Sequence, residues 1–373
     1  MIGFFKPRYV KDGQEMLKAA RKMLHYKRDL LRPADLETIE SEYQSLKIAV
    51  KERNKEKIEQ SGQKLDELFA GHFPPNHSAI RENCEVFLVA IVIAVGVRSY
   101  FLQPFTIPTG SMQPTLNGII ATVTQEPPPN PLVRVLHFGI YGRSYVNLVS
   151  KTDDIVEGLR PVKRFVFFNY TEVRCREQTF LVPAPMDKLL TDFQVRPGRM
   201  VGANEVLARG YVNTGDHVFV DKTRYHFAKP ERGDVFVFNT LGVPTGENVR
   251  NPDSPSQFYI KRLAGLPGDK LRIDAPTLFI NGEPASGPSF RKVMSMKDGY
   301  NGYSNTTAGG QRFRYLGDPE SIFQIPEASY FALGDNSYHS SDSRDWGTVP
   351  QKNLVGRGLF VYWPFTSHWG FIK

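Results

Sequence analysis

The chain has 373 residues, 40% of them apolar and 23% charged, which are the proportions of a folded protein and exclude wholesale disorder. A formal net charge of +8 suits a surface that faces anionic lipid or nucleic acid; without a basic recognition helix, zinc-finger spacing or aromatic-basic motif for bases, lipid is the better partner and no nucleic acid is expected. The two cysteines, Cys84 and Cys175, are too few for a disulfide framework, and neither an H-E-x-x-H pattern nor a Cys/His spacing points to a metal.

Residues from about 12 to 70 read as helix. Leu36, Ile39, Tyr43, Leu46 and Val50 recur at spacings of three and four, which makes one apolar stripe. The charge run KERNKEKIEQ (51–60) reads as a solvated face, and Pro33 marks the start of the second helix of a hairpin. A cytoplasmic helical region is therefore expected over residues 1–81.

Next comes Val86 to Val97, twelve uncharged residues, short of the ~20 needed to cross ~30 Å of hydrocarbon. The apolar character continues past Arg98 to Leu102, and Arg98 can snorkel to the interface. The segment reads as one transmembrane helix over 82–104, with a buried core helix as the other reading. Its place more than eighty residues into the chain argues against a cleaved export signal. Lys and Arg outnumber Asp and Glu before it, which favours a cytoplasmic N-terminus and an outward-facing remainder. Cys84 and Cys175 then lie on opposite sides of the membrane and cannot pair.

From about Phe105 the character is mainly β. HVFV (217–220) and DVFVF (234–238) read as strands, and Asn281-Gly282 after LFI (278–280) is a type I′ hairpin signal. Many short strands punctuated by Gly and Pro suggest antiparallel sheets. The stretch 126–131 reads as loop or extended linker, and 299–311 (GYNGYSNTTAGGQ) as a mobile loop. There is no internal repeat.

Five patterns occur in order: Pro108 to Leu116 (PTGSMQPTL), Gly215 to Val220 (GDHVFV), Arg232 to Phe238 (RGDVFVF), Tyr259 to Asp269 (YIKRLAGLPGD), and Gly334-Asp335-Asn336 followed by Ser340 to Arg344 and Trp346-Gly347. Alone, a Ser in a Pro-rich loop is a turn former. A Lys inside a strand is more informative. Lys261 shares a strand face with Tyr259 and Leu263. If that face is buried, the ammonium is desolvated and its pKa falls from ~10.4, and a neutral Lys can take a proton from a hydroxyl nucleophile. The bland alternative is a surface Lys whose stem covers apolar neighbours.

Together these boxes resemble those of bacterial type I signal peptidases, over about Val86 to Leu116 and from Gly215 to the C-terminus. The resemblance implies a mainly β, antiparallel-sheet catalytic domain over 105–373, behind an N-terminal helical region and one transmembrane helix. It implies Ser111 as nucleophile and Lys261 as general base, with the Ser111 main-chain N–H and the Thr109 hydroxyl as oxyanion hole. Ser340 resembles the residue that orients the base; Asp342 and Arg344 resemble a structural ion pair, and Arg262 a supporting residue. Phe105, Ile107, Tyr259 and Ile260 are expected to line shallow pockets for the small residues of Ala-x-Ala-type cleavage sites. The implied activity is removal of signal peptides from exported preproteins at the cell membrane, without a cofactor. A narrow-substrate Ser/Lys processing peptidase and a catalytically silent receptor on the same scaffold remain alternatives. A self-cleaving repressor would need a DNA-binding domain that the chain lacks. Two features depart from the family pattern: an insert at about 118–214, with strand-like runs such as 163–168, and Ser337 where Arg is common after Gly-Asp-Asn.

Overall fold

The structure is a computed structural model that describes residues 7–72, 79–164, 168–246 and 256–372. It divides into two compact units, Met1–Val92 and Ile93–Lys373, the division falling inside an apolar helix.

The first unit is helical. Helices Arg8–Lys27, Pro33–Glu52 and Lys55–His72 share one core, in which Ile39, Leu46 and Val50 of the expected stripe meet Val10, Ile58 and Leu65. Pro33 stands in the first turn of the second helix, where its missing N–H costs nothing. The charge run is exposed, as expected, but it also breaks. Arg53 adopts a left-handed conformation whose N–H closes the helix onto Ala49 and Val50, and the Asn54 side chain accepts the Lys57 N–H at 3.2 Å to start the third helix. The hairpin expected from the sequence is thus a bundle of three helices.

Helix Ala79–Tyr100 follows, and its stretch Glu82–Tyr100 is long and apolar enough to cross a membrane. None of that stretch is buried. The reading as a core helix therefore fails, because a core helix would be covered.

The second unit is built from antiparallel sheets. The largest runs in the order Leu102–Thr106, His217–Asp221, Leu354–Trp363, Val235–Asn239, Phe258–Gly265, Ser329–Leu333, Val349–Pro350, with Gly370–Phe371 added to Leu354–Trp363. The two runs read as strands, 217–220 and 234–238, fall in it as His217–Asp221 and Val235–Asn239. The first and fifth strands stand four places apart, about 19 Å in a flat sheet. Yet the Phe105 and Phe258 rings meet edge-on at 5.3 Å, so the sheet curls over on itself. A smaller sheet orders Glu283–Pro284, Thr277–Ile280, Lys270–Asp274 and Phe323–Gln324. Asn281 and Gly282 both have positive φ, as the expected hairpin turn requires.

The insert folds around a core of its own that includes Val146, Val156, Val173, Leu189 and Leu207. One sheet orders Ile120–Val123, Val206–Asn213 and Arg143–Val149; another orders Thr179–Val182, Phe168–Cys175, Asp154–Arg164 and Met200–Val201. Of the run 163–168, residues 165–167 lie outside the described residues. The two ends of the insert are tied together: Asp216 N–H donates to the Asn117 carbonyl at 2.8 Å, and Asn117 N–H donates to the Asp216 carboxylate at 2.7 Å.

Of the two loop readings, residues 126–130 are without helix or strand, as expected, and Asn130 then caps a helix, Pro131–Tyr141, with Pro131 in its first turn. The mobile-loop reading of 299–311 needs correction. The stretch 299–311 is packed into the structure: Tyr300, Tyr303, Ser304 and Asn305 are buried, and Asn305 Nδ2 donates to the carbonyls of Ile273 and Leu316. Its polar groups find protein partners, so its composition does not force it into water.

Truncating Leu46 to Ala should open a cavity in the helical core and cost about 2–5 kcal/mol. Hydrogen exchange across residues 33–52 of the full chain should accelerate accordingly; unchanged protection would show that this core does not hold the bundle.

Candidate active site

Ser111 sits in a single tight helical turn, Gly110–Met112. Beneath it Met112 and Leu116 are fully buried in a cluster with Ile107, Val218 and Val220, which fixes the turn onto the curled sheet. From the other side Asn336 holds it twice: its N–H donates to the Ser111 carbonyl and its side-chain amide to the Gly110 carbonyl, each at 3.1 Å. Gly334 makes that approach possible, since a Cβ there would collide with the Ser111 carbonyl and the Ser340 side chain.

Lys261 enters from strand Phe258–Gly265, between strands Val235–Asn239 and Ser329–Leu333. Tyr259 and Leu263 join one cluster with Phe238 and Trp346, so the expected shared face is a buried one. Lys261 is 4% exposed, and its Nζ lies 2.5 Å from Ser111 Oγ. Burial pushes its pKa down to about 8; Asp342 and Asp335 push the other way, while Arg344 adds to the effect of burial. A substantial neutral fraction therefore exists just above neutral pH, and a neutral amine at that distance can accept the hydroxyl proton. The Thr109 hydroxyl, at the mouth of the site, stands 3.5 Å from Ser111 Oγ.

Two buried ion pairs back the site. Arg262 grips Asp335 with two bonds, Nε to Oδ1 at 2.7 Å and Nη2 to Oδ2 at 2.6 Å, and donates a third to the Gly233 carbonyl. Thr115 Oγ1 donates to the same carboxylate at 2.5 Å. Arg344 pairs with Asp342 in the same two-bonded way, at 2.8 and 2.7 Å, with neither side chain exposed. Asp342 also accepts the Gly334 N–H, and its carboxyl lies below the usual range because Arg344 and that N–H outweigh the opposing effect of burial.

Ser337, the departure from the family pattern, is fully buried. Its hydroxyl accepts from Arg344 Nη1 at 2.7 Å and from the Ser304 N–H at 2.9 Å, and its carbonyl accepts from Arg344 Nη2. A small hydroxyl residue thus completes the shell of Arg344. Ser340 is buried beside Gly334, but its hydroxyl has no hydrogen-bond partner among the described residues, and Lys261 Nζ is held by Ser111 instead. The contact expected between Ser340 and the base is not formed in this state.

Of the expected pocket residues, Phe105, Ile107 and Ile260 come together around Met112. Tyr259 joins the Trp346 cluster, with Lys261 Nζ 5.9 Å from its ring centre. Sequence reasoning gave no role to Asn336, Thr115 or Ser304. Asn336 lay inside a recognised motif, but its hold on Gly110 and Ser111 depends on an approach of two segments far apart in the chain.

A buried amine set against a serine hydroxyl in a curled antiparallel sheet defines a serine-hydrolase class of site. The family described as signal peptidase, peptidase S26, matches residues 208–363. Signal peptidase I of Leptolyngbya laminosa is 32% identical over 170 residues, 46% of this chain and 70% of that one. Signal peptidase I of Bacillus licheniformis is 30% identical, covering 42% of this chain and 72% of that one. A crystal structure of an Enterococcus faecalis signal peptidase I aligns over 35% of this chain and 96% of that one, with 31% identity and a TM-score of 0.25. The chain belongs to the signal peptidase I family and is a serine endopeptidase of that family.

Because Lys261 has a folded pKa of about 8 and an ordinary unfolded one, the unfolded chain binds the extra proton between about pH 8 and 10.5. Its contribution to stability should therefore rise with pH across that window. Relative to wild type, Lys261→Met should gain most in thermal midpoint at pH 7 and lose that advantage towards pH 10.5. A difference independent of pH would mean that the amine is not desolvated. Asp335→Ala leaves the Arg262 charge buried without its partner and should cost about 3–5 kcal/mol in denaturant unfolding.

Proposed function

We propose that this chain is a membrane-anchored endopeptidase that removes N-terminal signal peptides from exported preproteins by a Ser/Lys acyl-enzyme mechanism. The observation that carries this reading is the buried Lys261 amine 2.5 Å from the Ser111 hydroxyl.

In this mechanism Ser111 Oγ attacks the scissile carbonyl carbon while its proton passes to neutral Lys261 Nζ. The carbonyl oxygen becomes an oxyanion, held by the Ser111 N–H and the Thr109 hydroxyl. Collapse expels the amine of the mature protein, which takes the proton from Lys261, and leaves an ester on Ser111. Water then attacks the ester, with Lys261 accepting its proton and returning it to Ser111 Oγ. The two ion pairs fix the geometry, Arg262–Asp335 behind Thr115 and Asp342–Arg344 behind Gly334, and Ser340 orients the amine when substrate is present.

The curl of the sheet supplies the cleft. In this reading an extended peptide lies along Phe105–Ile107, with its small side chains against the partly exposed Phe105 and Ile260, which pack on the core that holds Ile107. The small residues of Ala-x-Ala ends are the ones this reading places there. Helix Glu82–Tyr100 serves as the anchor, with residues 1–81 in the cytoplasm and the catalytic unit on the outer face, as the excess of Lys and Arg before it favours.

The test is cleavage of a labelled precursor with an Ala-x-Ala site by the detergent-purified full chain. Ser111→Ala and Lys261→Ala should each lower the rate on the order of 10⁴–10⁶-fold. In wild type kcat/KM should rise through an apparent pKa near 8 as Lys261 loses its proton. Full activity in either variant would remove the role given to that residue.

A further inference from the structure

The helix Pro131–Tyr141 is peculiar to the insert and presents its apolar side chains to the outside. Leu132 is 79% exposed, Val135 70% and Leu136 59%, and Phe138, Ile140 and Tyr141 are exposed as well. An apolar helix left in water forgoes the burial that normally stabilises a helix this short. It is nonetheless firmly built. Asn130 accepts the Val133 N–H at 2.9 Å at its start, and Gly142, at φ 62°, closes its end. Trp363 Nε1 donates to the Gly139 carbonyl and the Phe365 N–H to the Ile140 carbonyl, both at 2.8 Å.

Its surroundings point to one kind of partner. No carboxylate occurs from Pro127 to Thr152, whereas Arg134, Arg143 and Lys151 fall within that stretch. Arg134 and Arg143 line a cavity of about 530 Å³ beside the helix, together with Val135, Phe138, Tyr145 and Tyr170. Cationic heads over apolar and aromatic walls complement an anionic amphiphile better than a neutral protein face. Phe365, bonded to the helix through its N–H, and Trp369, 6.2 Å from Phe365 between ring centres, are more than half exposed, and Trp is one of the two side chains enriched at a membrane-water boundary.

The membrane exit lies in the same sheet. Lys222 ties the end of the apolar helix to it, with Nζ donating to the Ser99 carbonyl at 2.7 Å and N–H to the Phe101 carbonyl at 2.9 Å. From there the edge strand Leu102–Thr106 runs about 13 Å to Thr106, which is paired with His217 and through it with Trp363, the residue that carries the helix.

We propose that helix Pro131–Tyr141 is a second, interfacial membrane contact, lying in the headgroup region of an anionic phospholipid bilayer with Leu132, Val135 and Leu136 pointing towards the acyl chains. The idea rests on the membrane-anchored reading above. It requires strand Leu102–Thr106 to run along the bilayer surface, because the same 13 Å directed along the normal would carry the helix out of the headgroup layer. The insert then holds the curled sheet and its cleft flat against the surface from which the substrate's cleavage site emerges.

The full chain, carrying Cys84→Ser, tests this in phosphatidylcholine–phosphatidylglycerol vesicles. Spin labels are placed singly at Leu132→Cys and Leu136→Cys, at Val95→Cys in the anchor, and at Met200→Cys and Phe227→Cys on exposed parts of the catalytic unit. Retained precursor cleavage verifies that each labelled protein is folded. Collision with oxygen should exceed collision with a water-soluble nickel chelate at Val95, Leu132 and Leu136, and the order should reverse at Met200 and Phe227. For Leu132 and Leu136 the depth should be about 5–10 Å below the headgroups. Lipid contact at Val95 with water contact at Leu132 and Leu136 would overturn the interfacial helix and leave the anchor standing, with another protein then the occupant of that face. Water contact at Val95 would overturn the anchor, and the inference with it.

Discussion

An ammonium group removed from water holds its proton less tightly, and the arrangement of the catalytic unit follows from placing Lys261 where that happens. The strand that carries it has a paired strand on each side, and the face it shares with Tyr259 and Leu263 packs against Phe238 and Trp346. Water is kept out by the sheet itself. Among the described residues, the polar group that meets the amine is the hydroxyl of Ser111, delivered from a segment 150 positions away in the chain. Neither group is unusual in water; what sets this pair apart is burial and a separation of 2.5 Å.

Such a site needs charges close enough to tune it without filling it. Asp342 and Asp335 favour the protonated amine, but each is already claimed by an arginine through two hydrogen bonds. Because those carboxylates are neutralised by Arg344 and Arg262, they do not cancel the effect of burial on Lys261. A buried pair of this kind adds little net stability, since desolvation offsets most of the attraction. Its use here is geometric. Asp342 fixes Gly334, Gly334 admits the Ser111 carbonyl, and Asn336 holds the turn on which Ser111 stands.

The insert enters and leaves the catalytic sheet at neighbouring points, Asn117 and Asp216, and has its own core. That construction lets a long stretch of chain be added beside the Ser111 turn without altering the sheet that holds it. What it adds is an apolar helix fastened to Trp363 and Phe365 at the end of a strand of the large sheet.

Much of this was legible in the sequence because the signals are local. The stripe from Ile39 to Val50, the Pro33 helix start, the strands read at 217–220 and 234–238 and the Asn281-Gly282 turn each depend on neighbouring residues only, and each is within a residue of where periodicity or turn chemistry placed it. The boxes around Ser111 and Lys261 were likewise recognisable as residue patterns. The helix at 131–141 escaped because a short apolar run can be a helix or a strand, and its Asn130-Pro131 start resembles a loop. The stretch 299–311 escaped because its polarity suits water, whereas here Arg344 and Ser337 supply its partners from distant parts of the chain. By itself the sequence determined which residue types stand at which spacing along strand, turn and helix. Only the tertiary structure decided that the sheet curls, that the face of Lys261 is dry, and that two segments meet within a hydrogen bond, because burial is set by what the rest of the chain places over a residue and not by its neighbours in sequence.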